Sequence, residues 1–369
     1  MDITGLIPEP QKGSIEWAER CDYWQRKADE RPNKRKRREK ETRGLILAGH
    51  GISISVHRGT LLIQDGNTHY PSQKRIFRFF KGDLNKPPRI VLVDGSGNIT
   101  LDAIDWLAEQ RVDLIRTKWD GRISLVCAAT GYAADSKKVA WQIATRGNSA
   151  KRLQFAVPLI AEKIKATLFN LENLLPPSVS RDKAIEAAKG GLATLRTKPP
   201  NNISRLLALE GAVAQGYWFA WRALPIKWQA KSRYPIPEEW TRFFSRSSLK
   251  QDVHFGNRHA THPINAMLNY IYTILEAQTR VRVIGDGYDP SIGILHHDIR
   301  ADRHSFVFDS MEPKRPVVDR AIIKLILDEE FSGADFTLQR DGVCRLNPDL
   351  ARTVCMSVLR CVEHGLSHD

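Results

Sequence analysis

Three groups of side chains could do chemistry. The first is Glu210, set in 206–219, where Leu206, Leu209, Val213 and Tyr217 recur at helical spacing and would face a core. A carboxylate beside such a stripe needs a partner, because an unpaired buried charge is costly. Arg205 or another arginine could supply it, or Glu210 could serve a functional site. The second group is Asn265, Asn269, Tyr272 and Glu276, at steps of four, three and four along an otherwise apolar stretch. It reads as a polar stripe on a helix facing a wet crevice or a buried hydrogen-bond network, with Glu276 placed to pair with Arg280 at i+4. The third is His296-His297-Asp298, followed by Asp309 and Glu312, which share a face at i, i+3 if their segment is helical. Imidazole and carboxylates together suit manganese, magnesium or zinc. Arg315 and Asp319 could steady such ligands from behind.

These groups require elements to carry them. From Leu45 the chain alternates: Ile52, Ile54 and Val56 against Ser53, Ser55 and His57, with Arg58-Gly59 as a tight turn into Thr60–Gln64. Arg89-Ile90-Val91-Leu92-Val93 reads as a buried strand, Asp113-Leu114-Ile115 and Ile123–Val126 as further strands, and 100–110 as a short helix with Thr100 as its N-cap. Helical spacing then dominates over 134–144, 157–174, 183–195, 203–223, 264–284, 315–327 and 348 to about 363, with prolines and glycines between. Pro263 suits a first helical position after Thr261 or His262. The expected fold is α+β: a small β-rich domain over 44–130, then a larger all-helical domain over 131–369 that carries the catalytic candidates. Residues 1–43 are polar, contain six basic residues in the seven of 34–40, and read as a basic, flexible extension.

Charge narrows the function. The 369-residue chain has a formal net charge of +14. Residues 1–43 hold 12 basic and 9 acidic side chains against 44 and 33 in the remainder, so the excess is spread through the body. A polyanionic partner is the simplest reading. The five cysteines are scattered and lack CxxC spacing, which argues against a disulfide scaffold or a zinc ribbon and fits a reducing cytoplasm. No apolar run reaches the roughly 18 residues of a membrane span. Between 217 and 244, Trp218, Trp221, Trp228 and Trp240 alternate with Arg222, Lys227, Lys231, Arg233 and Arg242, followed by Arg246; they could stack on DNA ends or form an aromatic core under a basic surface.

Three blocks, in order, carry a resemblance. They are Leu209-Glu210-Gly211 with Tyr217-Trp218-Phe219; the stretch from His262-Pro263-Ile264-Asn265 through Tyr272 to Glu276-Ala277; and Gly287-Tyr288-Asp289-Pro290, Gly293-Ile294-Leu295-His296 and Phe308-Asp309-Ser310-Met311-Glu312-Pro313-Lys314-Arg315-Pro316. Over about 44–330 the chain resembles the CRISPR-associated spacer-acquisition integrases, also described as adaptation endonucleases. The resemblance implies an amino-terminal β domain, a helical catalytic domain and a divalent ion, Mg2+ or Mn2+, held by Glu210, His296 and Glu312, with Asp309 as a further acidic catalytic position. It implies strand transfer on double-stranded DNA (a 3′-hydroxyl attacking a phosphodiester), a homodimer and a small companion adaptation subunit. Arg280, Arg282, Arg300, Arg303 and Lys314, near these blocks, are the expected phosphate contacts. A stand-alone or mobile-element integrase shares the same core chemistry. A non-catalytic DNA-binding protein is the alternative of another class.

Overall fold

Six strands build one mixed sheet: β1 Leu45–His57, β2 Thr60–Gln64, β3 Ile76–Phe79, β4 Arg89–Ile99, β5 Asp113–Thr117 and β6 Ile123–Cys127, in the order β3-β2-β1-β4-β5-β6. The computed structural model describes residues 12–30, 39–72, 74–118, 123–127, 134–246, 260–296 and 304–364. The β1–β2 hairpin closes as its residues require: Arg58 and Gly59 take φ values of 49° and 75°, the left-handed pair of a two-residue turn. β1, β4 and β5 pair in parallel, and helix α2 Leu101–Glu109 makes the crossover from β4 to β5, capped by the Thr100 side chain. Parallel strands are buried on both faces, which is why their sequences are continuously apolar. Leu47, Ile90, Leu92 and Leu114 pack on Ala103, Trp106 and Leu107 of α2. The alternating residues Ile46, Val91, Val93 and Ile115 belong instead to the main core shared with the helices.

The helices are α3 Ser136–Arg146, α4 Ser149–Asn173, α5 Val179–Thr197, α6 Ile203–Ala220, α7 Pro263–Gly285, α8 Ser305–Met311, α9 Arg315–Asp328 and α10 Pro348–His364. α7 runs through the core. Pro263 opens it, and His262 caps it by accepting from the Ile264 N–H at 3.1 Å. That bond needs a neutral ring, and burial pushes His262 down to about 4. The aromatic-rich stretch is chiefly core: buried Trp221 and Phe243 pack with Trp218, and buried Trp240 stacks on Trp228.

Two sequence expectations are corrected. The expected flexible extension contains a docked helix, α1 Lys12–Asp29. Its inner face is Glu16, Arg20, Trp24 and Ala28, at steps of four. Arg20 grips buried Asp335 with two bonds of 2.7 and 2.8 Å, Trp24 Nε1 donates to the same carboxylate at 2.8 Å, and Ser332 donates to Glu16 at 2.7 Å. Half of that stripe is ionised, so an apolar-periodicity search passes over it. Of the basic run, residues 34–38 lie outside the described residues. The body from 131 onward also contains strands: β7 Phe336–Leu338 and β8 Cys344–Leu346 form an antiparallel hairpin between α9 and α10. Strands of three residues are too short to show periodicity.

The docking of α1 makes a stability prediction. Arg20→Ala leaves the fully buried Asp335 carboxylate without its cation, and breaking such a pair costs about 3–5 kcal/mol. Urea unfolding of wild type and variant measures the difference. A change within about 0.5 kcal/mol, the size of an ordinary surface substitution, would mean that α1 is not docked in solution.

Candidate active site

Glu210 and Glu312 reach the same point from different elements. Glu210 sits in mid-α6, whose start is fixed by Asn202 accepting from the Arg205 N–H at 2.8 Å. Glu312 begins the 3₁₀ turn Glu312–Lys314 that joins α8 to α9, where Pro313 and Pro316 occupy early positions that need no N–H donor. Between the carboxylates stands Lys163 of α4, whose Nζ donates to Glu210 Oε1 and to Glu312 Oε2, each at 2.5 Å. Arg205 is not the partner of Glu210; it bonds Asn201. Arg315 completes the group, its Nε lying 3.1 Å from the other Glu312 oxygen.

The electrostatics follow from the contacts. Burial alone would raise Glu312, but Arg315, Lys163 and His296 together hold it below the ordinary glutamate value. Burial would lower Lys163, and the two carboxylates outweigh it, so the ammonium is held charged. The arrangement is thus a pair of acids with one positive charge between them.

His296 lies in the loop after α7 and is fixed by Asp309 of α8. Asp309 is fully buried. One of its oxygens accepts from the His296 N–H at 2.9 Å and lies 2.8 Å from the ring Nδ1. The other accepts from the N–H groups of Ile294 and Leu295 at 2.6 and 2.9 Å. With both oxygens committed, Asp309 orients the imidazole and is not presented to the crevice as a further acidic ligand. Nδ1 is occupied, which leaves Nε2 as the outward donor atom. His296 is near enough to Glu312 to lower its pKa. Donor atoms of Glu210, His296 and Glu312 do not all lie within 4.8 Å of one another.

A cavity of about 170 Å³ adjoins the pair, lined among others by Lys163, Glu210, Trp218, Arg246, Tyr272 and Arg315. Of the expected polar stripe of α7, Tyr272 lines it and donates to Asp319 at 2.7 Å, while Asn269 accepts from the lining residue Arg246 at 2.8 Å and Asn265 donates to Ser245 O at 2.9 Å. Both guanidinium groups, of Arg246 and Arg315, lie over the Tyr272 ring at 5.3 and 5.4 Å. Tyr217 also donates to Asp319, at 3.1 Å, and accepts from Asn170 at 3.0 Å.

Asp319 carries a pH prediction. Burial pushes its carboxyl up to about 6 despite the two tyrosine donors. Between about pH 4 and 6 the folded state therefore holds a proton that the unfolded chain has released. Stability falls as pH rises through that window, by up to about 1.4 kcal/mol per unit. Urea unfolding across the window is expected to show a flatter dependence in Asp319→Asn; an unchanged slope would exclude Asp319 as the titrating group.

The expected phosphate contacts fare differently. Arg282 is exposed and pairs with Asp286 at 3.7 Å. Lys314 is lowered by burial and by the charge of Arg282, so these two cations are neighbours. Neither they nor Arg280 line the cavity. Arg300, Arg303 and His297 lie outside the described residues. The residue that the sequence reading missed is Lys163. It does leave a signal: Ala156, Ile160, Lys163, Thr167 and Asn170 recur at steps of four, three, four and three, a lysine inside a stripe that is otherwise buried.

The sequence profile of the family described as CRISPR associated protein Cas1 matches residues 45–359. The CRISPR-associated endonuclease Cas1 1 of Archaeoglobus fulgidus is 29% identical over 335 residues, which cover 85% of this chain and 87% of the relative. A casposase bound to an integration product superposes with a TM-score of 0.66 at 23% identity, over 87% of this chain and 82% of that one. A CAS1 protein from Thermotoga maritima gives 0.63 at 15% identity, over 88% and 91%.

Proposed function

This chain belongs to the family described as CRISPR associated protein Cas1, and from that membership we propose that it is a divalent-metal-dependent DNA endonuclease and integrase, inserting short DNA fragments into a CRISPR array by phosphodiester transesterification. The observation that carries this reading is the Lys163 ammonium shared by Glu210 and Glu312. Two carboxylates from separate helices that enclose one positive charge form a cation site, and the ammonium is its stand-in. Glu210, Glu312 and His296 Nε2 fit Mg2+ or Mn2+ as an oxygen-rich set with one imidazole. Such an ion supplies Lewis acidity to a phosphodiester oxygen.

The chain's own residues do the rest. Asp309 fixes the imidazole through Nδ1 and keeps its other nitrogen presented. Lys163, Arg246 and Arg315 concentrate positive charge at the cavity, complementary to a phosphodiester and to the negative charge that gathers on it during displacement. Tyr217, Tyr272 and Asp319 form the wall that holds α6, α7 and α9 in register. No protein nucleophile is needed, because the attacking group is a DNA 3′-hydroxyl.

The proposed layout places an amino-terminal β domain before a helical carboxy-terminal catalytic domain. The proposed partners are double-stranded DNA, a second copy of the chain and a small companion adaptation subunit, in the cytoplasm. No described helix is long and apolar enough to cross a membrane. The test is strand transfer of a short duplex into a supercoiled plasmid bearing a CRISPR repeat, with Mg2+ or Mn2+. Joined product that requires the ion supports the proposal. Tight DNA binding with no product under any ion would leave a binding protein instead.

A further inference from the structure

Cys21, His69 and Asp349 meet at a point none of whose residues lines the cavity beside Lys163 and Glu210. Cys21 belongs to α1, His69 to the loop between β2 and β3, and Asp349 to the first turn of α10. One donor atom from each lies within 4.8 Å of the others. Cys21 and Asp349 have no exposed surface, and the His69 side chain is 2% exposed.

The polar atoms here are poorly satisfied. Both carboxylate oxygens of Asp349, the Nε2 of His69 and the Nδ2 of Asn347 make no hydrogen bond of good geometry among the described residues, although Asp349 Oδ1 lies 3.2 Å from Arg352 and His69 Nε2 lies 3.2 Å from Asp22. Buried polar groups are rarely orphaned, and several together point to a missing water or ion. Charge distinguishes these. Arg352 is buried between two carboxylates, 2.5 Å from Asp65 and 3.2 Å from Asp349, so one guanidinium faces two acids. A water would leave that imbalance, whereas a cation removes it. His69 Nδ1 is engaged by Thr68 Oγ1 at 3.0 Å, which fixes the ring and leaves Nε2 as the ligand atom. Asp22, whose Oδ1 is 3.2 Å from that nitrogen, is a further carboxylate beside the site.

We propose that Cys21, His69 and Asp349 form a structural zinc site, separate from the catalytic pair, that fastens α1 to the start of α10 and to the β2–β3 loop. Thiolate, imidazole and carboxylate together select zinc over the hard ions magnesium and calcium, which take oxygen ligands. Closed, buried sites of this kind are filled as the chain folds, with loss of the thiol proton to solvent. The site also gives α1 a role: it joins three segments that are distant in sequence into one unit.

Cobalt tests this on the full-length protein after chelator stripping. One equivalent of Co2+ is expected to give a thiolate-to-cobalt charge-transfer band that Zn2+ abolishes. The band should be lost in Cys21→Ser and retained in Glu210→Gln, since carboxylate-and-imidazole coordination gives no such band. Because Cys21→Ser could fail to fold, X-ray absorption on zinc-loaded wild type gives a second reading. One sulfur at about 2.3 Å with nitrogen and oxygen ligands at about 2.0–2.2 Å is expected. Absence of the cobalt band, its persistence in a folded Cys21→Ser variant, or a zinc shell without sulfur would each overturn the site.

Discussion

Glu210→Gln and Glu312→Gln are each expected to lower strand transfer by at least about 10³-fold while leaving DNA affinity nearly unchanged. Each variant keeps the shape of the side chain and removes one of the two negative charges that enclose the Lys163 ammonium. A divalent ion contributes several kcal/mol of transition-state stabilisation in such sites, and about 1.4 kcal/mol corresponds to each tenfold in rate. Affinity is insulated because it comes from dispersed cations, whose excess runs through the whole chain. His296→Ala should match the carboxylate variants. Asp309→Asn should lose less, about 10- to 100-fold, since it acts by orienting the ring. Rate and binding are read together, by product formation from a labelled duplex and by fluorescence anisotropy. Wild-type transfer rates in Glu210→Gln or Glu312→Gln would remove both carboxylates from the reaction.

Lys163→Met is expected to produce opposite effects in the two forms of the protein. Without a divalent ion it leaves two close carboxylates facing each other in a mostly buried crevice. The pair is partly exposed, so the loss is below that of a fully buried bridge, about 2–4 kcal/mol. With Mn2+ present the variant has no cation between the two carboxylates to displace, Arg315 remaining on the outer oxygen of Glu312. Its Mn2+ affinity should rise by about tenfold or more, and Mn2+ should stabilise it more than it stabilises wild type. Calorimetric titration with Mn2+ and urea unfolding with and without a chelator measure the two halves. Unchanged or weaker Mn2+ binding would place Lys163 outside the cation site. Strand transfer should fall in either case, because Lys163 is also one of three cations at the cavity.

These expectations rest on side chains that were unequally legible in the sequence. Glu210 showed itself because an acid beside an apolar stripe must have a partner, and Glu312 as an acid one helical turn from Asp309 and close in sequence to a histidine pair. The α7 stripe was visible as periodicity, and the His262-Pro263 start as capping chemistry. The strands of the parallel centre were visible as continuous apolar runs. Lys163 was not seen: its local signal, a lysine within a buried stripe, does not say what it pairs with, and its partners lie 47 and 149 residues away. The same holds for α1, whose buried face is made of ions matched by Asp335 and Ser332 more than 300 residues later. Asp309 was legible as an acid near a histidine. Its actual work, four bonds to residues 294–296 and the imidazole, depends on those residues lying against α8.

The most direct test of a shared cation is an anomalous difference map from crystals grown with Mn2+. The account predicts a peak contacted by Glu210, Glu312 and the Nε2 of His296, with the Lys163 ammonium withdrawn from between the carboxylates. A map with no peak there, and Lys163 still bridging Glu210 and Glu312 at saturating Mn2+, would contradict it.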